Sequence, residues 1–208
     1  MKILILVNGK VKNHNWLQNK LQAADVLICA DGGANFCIKA KTIPDYVIGD
    51  MDSIDKKLLS ELENNNKTKV IVDKDQNKTD LQLAIELAND LKPDRIELLG
   101  VVGDRLDHTL GNLWCLDKVD KNIQVRALGN NCEISLVQDS LELEGKKGEV
   151  VSVIPLTDIE GLTYKGLKWG LADFACSWGW LGVCNKMEKQ KATISIKKGK
   201  ILVIKYLN

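Results

Sequence analysis

The chain has 208 residues, of which 45% are hydrophobic, enough to enclose one large α/β domain or an α/β domain with a small second one. Its 29 Lys and Arg against 28 Asp and Glu leave a formal charge of +1, which gives no electrostatic reason to propose nucleic acid or a membrane surface as partner. Any charged site must be local, and no apolar stretch approaches the roughly 20 residues that cross a bilayer.

The N-terminal "MKILILVNGK" carries a short apolar run before Asn8 and Gly9 and lacks a small-residue cleavage pattern. It reads as a first strand rather than a signal peptide, and a cytoplasmic protein is expected. Strand candidates follow at "DVLICA", "DYVIGD", "KVIVD", "RIELLG" and "IQVRAL". Between them stand segments such as "DKKLLSELENN" and "TDLQLAIELANDL", whose apolar residues recur at three and four. In the second, Leu81, Ala84, Ile85 and Ala88 share a face, and Thr79 or Asp80 caps the start. Such alternation predicts an α/β unit over residues 1–130, a mostly parallel sheet flanked by helices.

From Asn131 the pattern changes to short strands punctuated by glycine and lysine: "CEISLV", "SLELEG", "EVVSVIPL", "KATISIKKG" and "KILVIKYL". A second, antiparallel β unit is expected over residues 131–208, with the last two strands forming a hairpin around "KKGK". Six cysteines (Cys29, Cys37, Cys115, Cys132, Cys176 and Cys184) form no C-x-x-C pair, and several lie in apolar segments, as buried reduced thiols do.

Four polar clusters end predicted strands of the first unit: "ADGGAN", "GDMDS", "DKDQNKTD" and "GVVGDRLDH". In a parallel sheet, loops leaving the carboxyl ends of strands gather along one edge, so all four face one cleft. That cleft would hold Asp31, Asp50, Asp52, Asp75, Asp80, Asp104 and Asp107, opposed by Lys78 and Arg105. So many carboxylates repel one another unless cations intervene, and an oxygen-rich set favours Mg²⁺ over zinc. Magnesium commonly bridges carboxylates to phosphates, which makes a nucleotide the expected ligand, and Gly32, Gly33, Gly49 and Gly103 would let backbone approach its phosphates. If the chain continues extended past Ile48, Asp50 and Asp52 share a face while Met51 points away. No G-x-x-x-x-G-K-[ST] is present, no G-x-G-x-x-G opens a helix, and "VNGKVKNHN" is a weak phosphate cradle.

"ADGGAN", "GDMDS", "DQNKTDLQLA" and "GVVGDRLDHTLGN", in this order and at these separations, resemble the thiamine pyrophosphokinases, as do "GLKWGL", "GVCNKM" and "ATISIKKGKILVI" in the second unit. The resemblance implies an N-terminal α/β ATP-binding catalytic domain, a C-terminal β-sandwich contributing to a thiamine site and to the interface of a homodimer, and Mg²⁺-dependent transfer of a diphosphoryl group from ATP to thiamine. It implies that Asp50, Asp52 and Asp80 hold the metal and that Arg105 offsets phosphate charge. Asp31, Gly32, Gly33, Ser53, Lys78, Thr79, Asp107 and His108 become ATP contacts, and Gln76, Asp80, Asp107, Asn112, Cys184, Asn185 and Met187 thiamine contacts. Trp169, Phe174, Trp178 and Trp180 offer aromatic faces to a cationic ring, or fill the core or a subunit interface. The family usually has Ser-Asn where this chain has Cys184-Asn185, and often an aromatic residue where Met187 stands. A thiol is a weaker hydrogen-bond partner than a hydroxyl, and methionine packs against a ring without stacking. A pterin alcohol as acceptor and a non-catalytic nucleotide or thiamine sensor are the alternative readings.

Overall fold

A computed structural model describes residues 1–9, 11–75 and 77–207. The chain divides into two compact units, Met1–Asn130 and Asn131–Asn208.

The first unit is built on strands β1 (Lys2–Leu6), β2 (Val26–Ala30), β3 (Tyr46–Gly49), β4 (Lys69–Val72), β5 (Arg95–Leu99) and β6 (Gln124–Leu128). All their pairings are parallel, in the order β6-β5-β1-β2-β3-β4. Parallel neighbours need crossovers, and the helical patterns supply them as α1 (His14–Gln22), α2 (Ala34–Lys39), α3 (Lys56–Asn64), α4 (Asp80–Asp90) and α5 (Leu106–Cys115). Successive strand residues point to opposite faces. Leu4, Leu6, Leu27 and Cys29 join Leu17, Leu21, Cys37, Leu58 and Leu62 of α1, α2 and α3 in one core, while α4 packs on β1, β2 and β3. Its buried Leu81, Ala84, Ile85 and Ala88 are the face read from the sequence. Thr79 caps it in a reciprocal box, accepting from the Gln82 amide while the Gln82 side chain accepts from the amide of Thr79.

The second unit has strands β7 (Cys132–Val137), β8 (Ser140–Glu144), β9 (Val150–Pro155), β10 (Ile159–Lys165), β11 (Leu171–Cys176), β12 (Gly182–Lys186), β13 (Lys191–Ser195) and β14 (Ile201–Tyr206). They form two antiparallel sets, β12-β9-β14-β7 and β11-β10-β13-β8. Val151, Val153, Ile201 and Val203 of the first meet Leu162, Tyr164 and Ile194 of the second in one core, which makes the unit a sandwich. The expected β13–β14 hairpin is corrected here. β13 pairs with β10 and β8, and β14 with β7 and β9. The apolar alternation of both strands is satisfied across the sandwich, so the "KKGK" turn carries the chain from one sheet to the other.

All six cysteines are free thiols. Among the described residues no helix is long and apolar enough to cross a membrane.

Candidate active site

The parallel sheet brings the carboxyl ends of its strands to one edge, and a cleft of about 870 Å³ opens there. The segments after β2, β3, β4 and β5 all line it, through Asp31, Asp50, Asp73 to Asp75, Lys78 to Asp80, and Gly103 to Asp107 except Leu106. Four polar clusters read from the sequence are thus brought to one cavity.

Residues Ala30 of β2 and Ile48 of β3 are paired in register, so the chain leaves both strands side by side. At the exits Asp31 (φ 40°) and Met51 (φ 65°) take left-handed backbone. The turn after Ile48 is therefore not extended. Instead Asp50 Oδ1 accepts from the Asp52 amide at 3.1 Å, closing a tight loop that turns both carboxylates the same way while Met51 packs on the core. Carboxylate oxygens of Asp31, Asp50 and Asp52 lie within 4.8 Å of one another. The grouping expected from the sequence had Asp80 in place of Asp31. Strand adjacency explains the difference, since β2 and β3 deliver Asp31 directly beside Asp50.

Asp80 opens α4 next to this trio, and burial and then the charges of Asp31 and Asp50 push its carboxyl above the usual carboxylate range. A Cβ on Gly49 (φ 144°) would stand 2.6 Å from Asp80 Oδ1, so glycine is what admits Asp80 to the site. Gly32 and Gly33 sit in close packing. Both are buried, and a Cβ on Gly33 would lie 2.1 Å from the Leu6 carbonyl oxygen and one on Gly32 2.5 Å from Asn8 Nδ2. Their bareness lets the loop pack closely on the end of β1 and on Asn8.

Ser53 binds the trio internally, its amide donating to Asp31 Oδ2 (3.2 Å) and its hydroxyl to Asp52 Oδ1 (2.7 Å). Asn35 fastens α2 to the same loop, donating to the Ser53 carbonyl at 2.9 Å and accepting from the Asp55 amide at 3.0 Å. Arg105 grips Asp107 in a bidentate pair, Nε to Oδ1 at 3.2 Å and Nη2 to Oδ2 at 2.5 Å, which together with the His108 amide holds the Asp107 carboxyl down at about 2. His108 and Asn112 also line the cleft, and Asn112 Nδ2 donates to the Val101 carbonyl. Lys78 reaches away along α4 to Glu86 (2.7 Å). The expected Gln76 contact lies outside the described residues.

In the sandwich, β12 is paired to β9 with a register shift between Gly182 and Asn185, where Cys184 takes φ 64°. That bulge leaves Cys184 exposed and turns Asn185 inward. Met187 is fully buried in the sandwich core, which corrects its expected role as a thiamine contact: a side chain enclosed among Leu167, Val151 and Ile201 has no face for a ligand. The aromatic residues divide. Phe174 and Trp180 meet at 5.4 Å with their rings tilted by 50° and pack on the core, whereas Trp169 and Trp178 are exposed.

Sequence reasoning assigned no site role to four contributing residues. Asn8 and Gly9 line the cleft from the end of central strand β1, a position that itself was the signal, and a Cβ on Gly9 would stand 1.9 Å from the Gly100 carbonyl. Asn35 lay unassigned inside "ADGGAN", and Trp114 lines the cleft from α5.

The donor set tests whether a hard divalent cation fits. Oxygens of three carboxylates lie within 4.8 Å of one another, so each residue can offer one ligand atom to a common hard cation. Among the described residues none of Asp31, Asp50, Asp52 and Asp80 is ion-paired with Lys or Arg. The uncompensated charge and all-oxygen donors suit Mg²⁺.

Residues 17–127 match the family model "Thiamin pyrophosphokinase, catalytic domain", and residues 137–201 match "Thiamin pyrophosphokinase, vitamin B1 binding domain". The chain is 31% identical over 184 residues to a thiamine pyrophosphokinase of Bacillus subtilis, covering 86% of each chain. It is 30% identical over 214 residues to thiamine pyrophosphokinase 2 of Arabidopsis thaliana, covering 84% of this chain and 79% of that one. The crystal structure of the B. subtilis protein superposes over all of both chains with a TM-score of 0.87 at 28% identity. That of the Candida albicans thiamin pyrophosphokinase, at 19% identity and a TM-score of 0.84, shares the fold.

Proposed function

Because the chain belongs to the thiamin pyrophosphokinase family, whose members move a diphosphoryl group from ATP to thiamine, we propose that the cleft at the carboxyl edge of the parallel sheet is where this chemistry takes place, with Mg²⁺ required. The observation that carries the reading is the trio Asp31, Asp50 and Asp52 with Asp80 beside it, four carboxylates from two strand ends and a helix start. When bound by this trio, Mg²⁺ would neutralise charge on the ATP phosphates.

In the reaction the thiamine hydroxyl oxygen bonds to the β-phosphorus, the bond from that phosphorus to the α,β-bridging oxygen breaks, and AMP leaves. The protein supplies positioning and charge rather than covalent chemistry. Asp80 is assigned the proton of the attacking hydroxyl, consistent with the rise in its carboxyl affinity for protons. Arg105 and His108 are assigned to the phosphates, with Asp107 aiming the guanidinium, and Ser53 and Thr79 act by fixing the loops. Asp107 and Asn112 remain candidates for the acceptor. Recognition of the cationic acceptor is assigned to the exposed aromatic face of the sandwich, above all Trp169. Family membership favours thiamine over a pterin alcohol and a transferase over a sensor.

A homodimer is part of the proposal. Leu106, Leu110 and Trp114 form an exposed apolar stripe on α5, and Trp178 and Leu181 a second apolar group on the sandwich, surfaces of the kind that subunits cover. A cytoplasmic location is carried over from the sequence reading.

The test is AMP release from ATP and thiamine at saturating Mg²⁺ by purified Asp50→Asn and Asp52→Asn. Both are expected to lose turnover by at least about 10²-fold while keeping their thermal transition. Near-normal turnover in both sinks the metal assignment, and AMP release that depends on a pterin alcohol instead of thiamine sinks the acceptor.

A further inference from the structure

Asn185 is 7% exposed, a buried amide in a strand whose neighbours Val183 and Cys184 face solvent. A buried amide must find partners, and the ones it has are specific. Its Oδ1 accepts from the Trp169 amide at 3.1 Å and from the Lys186 amide at 2.8 Å, and its Nδ2 donates to the Trp169 carbonyl at 2.8 Å. The side chain thus pairs with both main-chain groups of Trp169 as a neighbouring strand would, and the adjacent Lys168 amide donates to the Lys186 carbonyl at 2.9 Å. Trp169 itself belongs to no strand, and the residue is 54% exposed. A residue so exposed gains its fixed placement from the backbone clamp.

The ring so placed already holds a cation. Lys168 Nζ sits 4.7 Å from the Trp169 ring centroid, within cation–π range. A thiazolium shares the positive charge of that ammonium and, unlike it, is a flat ring that can stack, so it would take this face by displacing Lys168. The residue that aims the indole therefore governs how well an aromatic cation is received.

We infer that Asn185 is a positioning residue for the acceptor, acting through Trp169 rather than by touching thiamine. The inference rests on the reading of Trp169 as the thiamine face. It also explains the inward turn of β12, because the left-handed Cys184 bulge is what carries Asn185 from the solvent side to the clamp.

A double-mutant cycle on the full-length enzyme tests it, with KM for thiamine, KM for ATP and kcat measured for Asn185→Ala, Trp169→Ala and the double variant. The expected result is a rise of about tenfold or more in thiamine KM for Asn185→Ala, an ATP KM within about twofold of the parent, and a double variant no worse than Trp169→Ala alone. If Asn185→Ala does not fold, Asn185→Asp takes its place, since it keeps the acceptor oxygen for both amides and loses only donation to the Trp169 carbonyl. Multiplying effects overturn the inference, because Asn185 then acts independently of Trp169. So does a lowered melting temperature with an unchanged thiamine KM, which is a structural role only. An unchanged thiamine KM in Trp169→Ala overturns the reading of Trp169 itself, and is distinguishable because it appears in that single variant.

Discussion

Replacing Gly33 by alanine isolates the close approach between the "ADGGAN" loop and the central strand. Gly33 has φ −56° and ψ −31°, helical values that alanine adopts without strain, so only space opposes the change. The added Cβ would lie 2.1 Å from the Leu6 carbonyl oxygen and 2.9 Å from the Leu6 carbonyl carbon. Carbon and oxygen tolerate about 3.3 Å, so strand end and loop must part by about 1 Å. Both sides of the clash are backbone, which puts the cost at the upper end for overpacking, about 3 kcal/mol. With a urea m-value of about 2 kcal/mol/M, the midpoint of the N-terminal unit falls by about 1.5 M. The same parting carries Asp31 away from Asp50 and Asp52, and a 1 Å misplacement costs about 10²-fold in turnover. Urea unfolding followed by circular dichroism reads the first effect and AMP release the second. Gly111→Ala is the control, since its Cβ meets nothing within 4 Å in the middle of α5, and the change should stabilise by about 0.5–1 kcal/mol. A Gly33→Ala midpoint equal to the parent's, with turnover intact, would refute the close approach.

Asp107 should titrate at about 2 by carboxyl NMR, and Arg105→Gln should raise it toward the ordinary carboxylate range, short of it by what the His108 amide contributes. Because its folded value lies below the unfolded one, whatever Asp107 adds to stability is present above the ordinary carboxylate range and fades as pH falls toward 2. Cys184→Gly should raise the stability of the sandwich by about 1 kcal/mol in thermal unfolding, since glycine takes the left-handed φ of 64° without a Cβ penalty. An unchanged transition would show the bulge to be relaxed. Tyr164→Phe removes a buried hydroxyl that has no partner among the described residues, so it should stabilise by about 1 kcal/mol; a destabilised variant would point to a partner for that oxygen.

The α/β unit was legible because its strands are short apolar-rich runs, several of them β-branched, and each long helix carries its own period, local signals that tertiary contacts reinforce. The strand-end rule then placed four clusters on one edge before any coordinates were needed. Two things lay beyond that reasoning. Which carboxylates meet depends on which strands are neighbours, and nothing local to Asp31 says that β2 lies beside β3. The strands around Trp169 and Cys184 were not recognised because bulges and glycines break the period of two that identifies a strand. Met187 was misassigned for the same reason: a one-residue shift at Cys184 decides which of the following side chains faces the core.

The position of β1 has a consequence for how the molecule is made. It is the central strand, and its register with β5 runs from Lys2–Arg95 to Leu6–Leu99, whereas its pairing with β2 reaches only to Cys29. On a ribosome adding about 5–20 residues per second, β1, β2 and β3 and the whole of the Asp31–Asp50–Asp52 trio are exposed for seconds before β5 exists to close the other side. The nascent unit therefore carries an open, apolar strand edge, a template for pairing with another chain. Substitutions in β5 should accordingly be felt first in the yield of folded protein during synthesis, and only afterwards in the stability of the molecules that succeed.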